Sequence, residues 1–250
     1  MVAPDPVAFS IFGFDVRWYG VLIGLAILIA CTIVYLRAPR FGFNQEKLLD
    51  VLIISIPVGV IGARAYYVAF NWERYAGDFG KIIDIRGGGL AIHGGLIFGI
   101  LCAAVLCRIW KIRIPAALDL AAPSIAVAQS IGRWGNFFNE EAHGGPTDFP
   151  IHVLIDGQAY HATFLYESVW CFLLFLFLLL FSKKKKFDGQ IFLLYAMLYS
   201  LERFFVEGLR TDSLMIGPLR QAQVLSFAVI IFAIVLYFVL WHHRRAKKRL

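Results

Sequence analysis

Residues 164–182 read FLYESVWCFLLFLFLLLFS, nineteen positions with a single charge, Glu167. A bilayer's hydrocarbon core is about 30 Å thick and takes about 20 apolar residues as one helix. No water is available there to bond the backbone, so a lone segment crossing it must be helical. Six further runs of this kind lie on either side, at 18–36, 48–70, 90–110, 116–131, 190–206 and 224–241. The whole chain agrees: 60% of its 250 residues are hydrophobic, 16% are charged and the mean hydropathy is +0.71. That much apolar surface exceeds what one soluble core buries. The expected fold class is an all-α integral membrane protein of about seven transmembrane helices, one domain over 1–250.

Basic residues near span ends stay cytoplasmic, so the connections set the orientation. Fifteen Lys and Arg fall in one set of connections, with Lys183 to Lys186 and the tail from Arg244 to Arg249 the densest. The other set holds eight, and Arg64 alone lies inside a span. The N-terminus is therefore expected outside and the C-terminus in the cytoplasm. The net charge of +7 is placed where it would meet anionic headgroups and does not call for nucleic acid. The N-terminus has Asp5 and Asp15 and only Arg17 ahead of the first span, unlike a secretory signal, so that span is expected to remain. Cys31, Cys102, Cys107 and Cys171 sit in apolar runs without ligand spacing, which points to packing and to no metal or disulfide.

The span at 116–131 is the weakest, with Asp119, Pro123, Ser124, Gln129 and Ser130. It is expected to cross facing protein or water. Segment 137–163 is the expected extracytoplasmic cap, with a tight hairpin at Asp156-Gly157. The segment ending in Gly87, Gly88 and Gly89 is expected to bend near the membrane surface. The pairs Gly20/Gly24 and Gly95/Gly99 are expected at close helix contacts.

Against this background the stretch 132–144, GRWGNFFNEEAHG, gathers an arginine, two asparagines and two glutamates. A charge at bilayer depth costs roughly 2.5 to 3.5 kcal/mol on insertion scales, so it needs a partner, a polar cavity or a ligand. Tyr19, Arg64, His93, Arg133, Asn136, Glu167, Arg203, Glu207 and Arg210 all fall in the outer halves of the expected spans. Spacings of four and three place Arg203, Glu207 and Arg210 on one stripe of the sixth helix.

These segments resemble the prolipoprotein diacylglyceryl transferase family along nearly the whole chain. The resemblance rests on DPVAFSIFGFDVRWYG, GARAYYV, GGLAIHGGLIFG, GRWGNFFNEEAHG, TFLYES and ERFFVEGLRTDSLMIG, in that order. Ala162 departs from the pattern, where proline is common. The resemblance implies transfer of the diacylglyceryl group of phosphatidylglycerol to the lipobox cysteine of a preprolipoprotein signal peptide, with release of glycerol phosphate. It implies no cofactor, a monomer among membrane lipids, and residence in the bacterial cytoplasmic membrane with the site toward the outer leaflet.

The residues suit that chemistry. Arg133 and Arg203 are the candidates to hold the phosphate, since guanidinium is permanently charged and bidentate; the alternative is pairing with Glu141, Glu167 or Glu207 that only joins helices. A thiol must lose its proton to react. His93 is one candidate base, Glu141 and Glu207 the others, and His93 can equally cap its helix. Tyr19 is a hydrogen-bond partner or part of an interfacial aromatic belt with Trp18. Asn136 bonds the headgroup glycerol or caps a helix end. Arg64 is expected to organise glutamates, and Arg210 with Asp212 to gate the mouth. His143, His152 and His161 are expected in solvent. A transporter would need polar groups in the inner half as well, a scaffold would not gather these charges, and a lipid hydrolase would show a nucleophile or metal cluster.

Overall fold

A computed structural model describes residues 1–85, 88–211 and 213–247. Arg86, Gly87, Asp212 and residues 248–250 lie outside the described residues, so the gate assigned to Asp212 is not placed. The long helices are α1 (Trp18–Arg37), α2 (Gln45–Phe70), α4 (Ile92–Ile109), α5 (Ile114–Phe138), α6 (Thr163–Phe181), α7 (Gln190–Glu207) and α8 (Gln221–Lys247), with a short α3 (Phe79–Ile83). Each expected run is one of these helices. Among the described residues six are long and apolar enough to cross a membrane; α7 is excepted because its eighteen residues carry Glu202, Arg203 and Glu207. The protein is an all-α multi-pass membrane protein; among the described residues one small hairpin precedes α1 and two others lie between helices.

The chain divides into two compact units, Val34–Ala117 and Met1–Ile33 with Leu118–Leu250. In the first, α2 and α4 meet along glycines. A Cβ on Gly59 would lie 3.2 Å from the Gly95 carbonyl, and one on Gly62 would overlap Phe98. The Gly95/Gly99 pair thus makes the close approach expected of it. Gly20 and Gly24 do not: a Cβ there meets no atom within 4 Å. Small residues permit close packing but do not bring a partner helix.

Arg64 of α2 also departs from expectation. Its Nε donates to the Ile82 carbonyl at 2.9 Å, Nη1 to Gly88 and Gly89 at 2.7 and 3.0 Å, and Nη2 to Lys81 at 2.5 Å. The guanidinium lies over the Tyr75 ring, 4.9 Å from its centre. It organises backbone carbonyls rather than glutamates. The bend at Gly88 and Gly89, both left-handed at φ 86° and 74°, turns their carbonyls toward it. His93 is the second residue of α4, exposed, with its ring 6.4 Å from that of Tyr66.

In the second unit α5 is held at both ends. Near its start Asp119 is fully buried and accepts from the Gly189 and Phe192 amides at 2.7 and 2.9 Å, with Lys185 Nζ 3.0 Å away. A carboxylate on the free amides at the start of α7 satisfies helix-terminal donors and favours the dipole. The weakest expected span thus does face protein, and Lys185 turns inward instead of meeting headgroups. Leu174, Leu178, Ile191 and Tyr195 pack with Ala122 and Ala126 to form the core of α5, α6 and α7.

Beyond α5 the hairpin β3 (His152–Ile155) and β4 (Gln158–His161) turns at Asp156-Gly157, φ 49° and 79°, as expected of that pair. Its Val153 packs with Ala162, Phe164, Trp134 and Phe137. His143, His152 and His161 are half-buried in this head rather than in solvent, with their Nδ1 atoms near Gly144 O, Phe149 O and Tyr166 Oη.

Candidate active site

The last two turns of α5 carry GRWGNFF, so the signature is helical up to Phe138. Its residues divide by face. Gly132 and Gly135 face α1: a Cβ on Gly132 would touch Ile23, and one on Gly135 would run into the Tyr19 ring. Trp18 stacks on Phe138 with ring centres 5.2 Å apart. Tyr19 is therefore seated against the signature helix. Trp134 faces α6 and donates from Nε1 to Ser168 Oγ at 3.1 Å. Ser130 Oγ donates to the Ser168 carbonyl and Ser168 Oγ to that of Ser130, at 2.8 and 2.9 Å, so the two helices are fastened reciprocally.

Arg133 points to a buried carboxylate. Its Nη2 lies 2.5 Å from Glu167 Oε2, and the Glu167 side chain is 1% exposed. Arg203 reaches the same carboxylate from α7, Nη1 being 3.2 Å from Oε1 and 3.3 Å from Oε2. The other arm of Arg203 places Nη2 2.6 Å from Glu207 Oε2. Tyr199 completes the ring of partners, its hydroxyl accepting from Arg133 Nη2 at 3.4 Å. Three helices thus join two guanidiniums on one glutamate. Buried pairing of this kind demands good geometry, since desolvating the charges costs several kcal/mol per ion.

Arg210 lies off the expected stripe. Helix α7 ends at Glu207, and successive amides from Gly208 to Arg210 bond carbonyls only three residues back. The Leu209 carbonyl is taken by the Gly145 amide at 2.9 Å, forming a bridge between Gly144 and Arg210. That attachment to the head draws the chain out of the helix. Gly144 admits it, because a Cβ there would meet His161 and the Leu209 carbonyl.

Asn136 donates to Glu141 Oε1 at 3.0 Å, and Asn139 Nδ2 lies 3.4 Å from the same oxygen. The Glu141 amide in turn donates to the Asn136 carbonyl. Asn136 therefore closes the turn after α5, in which Glu140 and Ala142 adopt left-handed φ of 52° and 58°. Glu141 pairs with asparagines and not with Arg133. A cleft of about 520 Å³ opens beside it, walled in part by Asp5, Arg17, Asn139 and Glu140.

Of the expected residues, Arg133, Glu167, Arg203 and Glu207 meet in one cluster, Asn136 pairs with Glu141, and Tyr19 seats on Gly135. Tyr199, Ser168 and Glu202 were not singled out from sequence. A signal existed for two of them: Tyr195, Tyr199, Glu202 and Val206 recur at helical spacing, and all four line the inward side of α7.

In a multi-pass membrane protein, two arginines gathered on a buried carboxylate mark a candidate functional site. The particular family follows from comparison. The profile of the prolipoprotein diacylglyceryl transferase family matches residues 6–239, and the chain belongs to that family. The phosphatidylglycerol–prolipoprotein diacylglyceryl transferase of Clostridioides difficile (strain 630) is 50% identical over 231 residues, 92% of this chain and 93% of that one. The enzymes of that name from Finegoldia magna and Bacillus cytotoxicus are 49% and 43% identical. Those alignments cover 93% and 98% of this chain, and 94% and 95% of the relatives.

Proposed function

We infer that this protein transfers the diacylglyceryl group of phosphatidylglycerol to the lipobox cysteine of a preprolipoprotein, forming a thioether. Membership of the family over nearly the full chain supports the reaction, and the convergence of Arg133 and Arg203 on Glu167 supports the site. The thiol sulfur bonds to the glycerol carbon of the lipid, the carbon–oxygen bond to phosphate breaks, and the electron pair leaves on the phosphate oxygen. Charge grows on that phosphate as the bond breaks. Arg133 and Arg203 answer it, held beforehand by Glu167 and Glu207 so that little reorganisation is needed. Glu167 keeps the two guanidiniums together, and the arriving phosphodiester shares them.

Tyr19 and Asn136 stand on or against the same helix end and serve the headgroup. Glu141 fixes Asn136, and Arg64 fixes the loop before α4. Arg210 joins the last turn of α7 to the head. His93 and Glu207 are candidates to receive the thiol proton. The whole of 1–250 acts as one catalytic domain, with 137–163 as an extracytoplasmic head insertion. Seven spans with the N-terminus outside set the cluster toward the outer leaflet of the bacterial cytoplasmic membrane. The protein works as a monomer, and its basic residues serve lipid headgroups and not nucleic acid. Purified protein incubated with phosphatidylglycerol and a lipobox peptide should add one diacylglyceryl mass to the peptide. The same peptide with serine for cysteine should gain nothing, and an unmodified cysteine peptide would refute the reading.

A further inference from the structure

Glu202 stands one residue before Arg203 on α7, is 6% exposed, and neither of its carboxyl oxygens has a hydrogen-bond partner among the described residues. Its neighbours are accounted for differently. Glu167 holds two arginines, Glu207 meets Arg203, Glu141 accepts from asparagines, and Asp119 has two amides and a lysine. The groups that act on Glu202 electrostatically are Glu167 on α6, Arg133 on α5 and Arg203 beside it, and Glu202 acts in turn on the buried Cys171 of α6. It therefore sits in the same charged cluster without being tied into it.

A buried carboxyl without a hydrogen-bond partner costs free energy that an apolar side chain would not, and more if it is ionised. Such a group in a native protein calls for a reason. The alternatives differ in what they need. A joint between helices would use the oxygens as acceptors, and here neither is used. A proton acceptor needs an oxygen not engaged by a guanidinium, since a carboxylate already bonded to Arg is the weaker base.

We propose that Glu202, in place of His93 and Glu207, takes up the thiol proton, an assignment resting on the transferase reading above: Glu207 is engaged by Arg203, and His93 is exposed. As sulfur bonds to the glycerol carbon and the carbon–oxygen bond to phosphate breaks, the sulfur's proton passes to a Glu202 carboxylate oxygen. The phosphate departs with the electron pair of the broken bond. Glu202 then yields the proton to the released glycerol phosphate and returns to its starting form. No oxidant, metal or further reactant enters the balance.

Glu202→Gln keeps the shape and removes the acid. Its kcat for peptide modification should fall about 100-fold or more, the usual range for a general base. The KM for phosphatidylglycerol should stay within about twofold of wild type, because the arginines that hold phosphate are untouched. The rate–pH profile should lose one ionisation, which a merely structural role would not do. The melting temperature should hold or rise. Glu202→Asp should retain measurable transfer with a displaced profile, which keeps the test open if Glu202→Gln does not fold. Wild-type kcat with an unchanged profile in Glu202→Gln, or an unchanged profile in Glu202→Asp, would overturn the assignment. A wild-type protein that leaves the peptide unmodified would instead refute the transferase reading.

Discussion

Two buried carboxylates on adjacent helices do opposite work. Asp119 lies near the start of α5, and Arg133, the partner of Glu167, is fourteen residues further on, about 21 Å along the helix axis. Around Asp119 the polar groups are matched: two α7 amides and Lys185 on the carboxylate, Lys185 also 2.8 Å from Asp188, and Gln190 between the Lys186 amide and the Tyr237 hydroxyl at 2.6 and 2.8 Å. Around Glu167 the same three-helix packing assembles five charged side chains and, among the described residues, leaves both Glu202 oxygens and Glu207 Oε2 without a hydrogen bond. A closed network fixes helices. An open one, with cations gathered on a single anion, is prepared to accept another charge.

Substitutions on each side can break this contrast. The largest stability effect is expected at Asp119: Asp119→Ala leaves Lys185 and the α7 amides without their partner and should destabilise by about 3–5 kcal/mol. Transfer per folded molecule should remain. Thermal melting in detergent together with activity normalised to folded protein checks both, and a wild-type melting point with lost transfer would erase the distinction. A smaller effect is expected at Gly135, where Gly135→Val drives into the Tyr19 ring. Overpacking of this kind costs about 1–3 kcal/mol, and displacing Tyr19 should lower transfer beyond the loss of folded yield. Equal transfer per folded molecule would remove Tyr19 from the site.

Much of this was legible in the chain. Every apolar run became a helix, because a span's length and hydropathy are set by the bilayer and not by tertiary detail. The Asp156-Gly157 turn was legible too, since few residue pairs accept two successive left-handed positions. The hairpin of β1 (Val7–Ile11) and β2 (Phe14–Arg17) went unseen. Its turn at Phe12-Gly13 has φ 51° and 80°, with phenylalanine at a position whose usual residues are asparagine, aspartate or glycine. The Arg203–Glu207 pair followed from helical spacing, but Arg210 did not. A tertiary bond from Gly145 to Leu209 ended the helix first, and no local pattern encodes it. The role of Asp119 was hidden likewise: in sequence it weakens a span, and only packing brings α7's free amides to it. Glu202 was obscured by its neighbour Arg203, whose spacing of four from Glu207 forms a charge pair, whereas Glu202 has no basic residue three or four positions away.

The central claim is that two guanidiniums work together on one phosphate. Its most direct test is transfer measured for Arg133→Ala, Arg203→Ala and the double variant, each normalised to folded protein. Each single change should reduce kcat by about 100- to 1000-fold, the loss seen when one donor to a developing oxyanion is removed. The double variant should be far less impaired than the product of the two. Wild-type transfer in either single variant, or losses that simply multiply, would contradict the account.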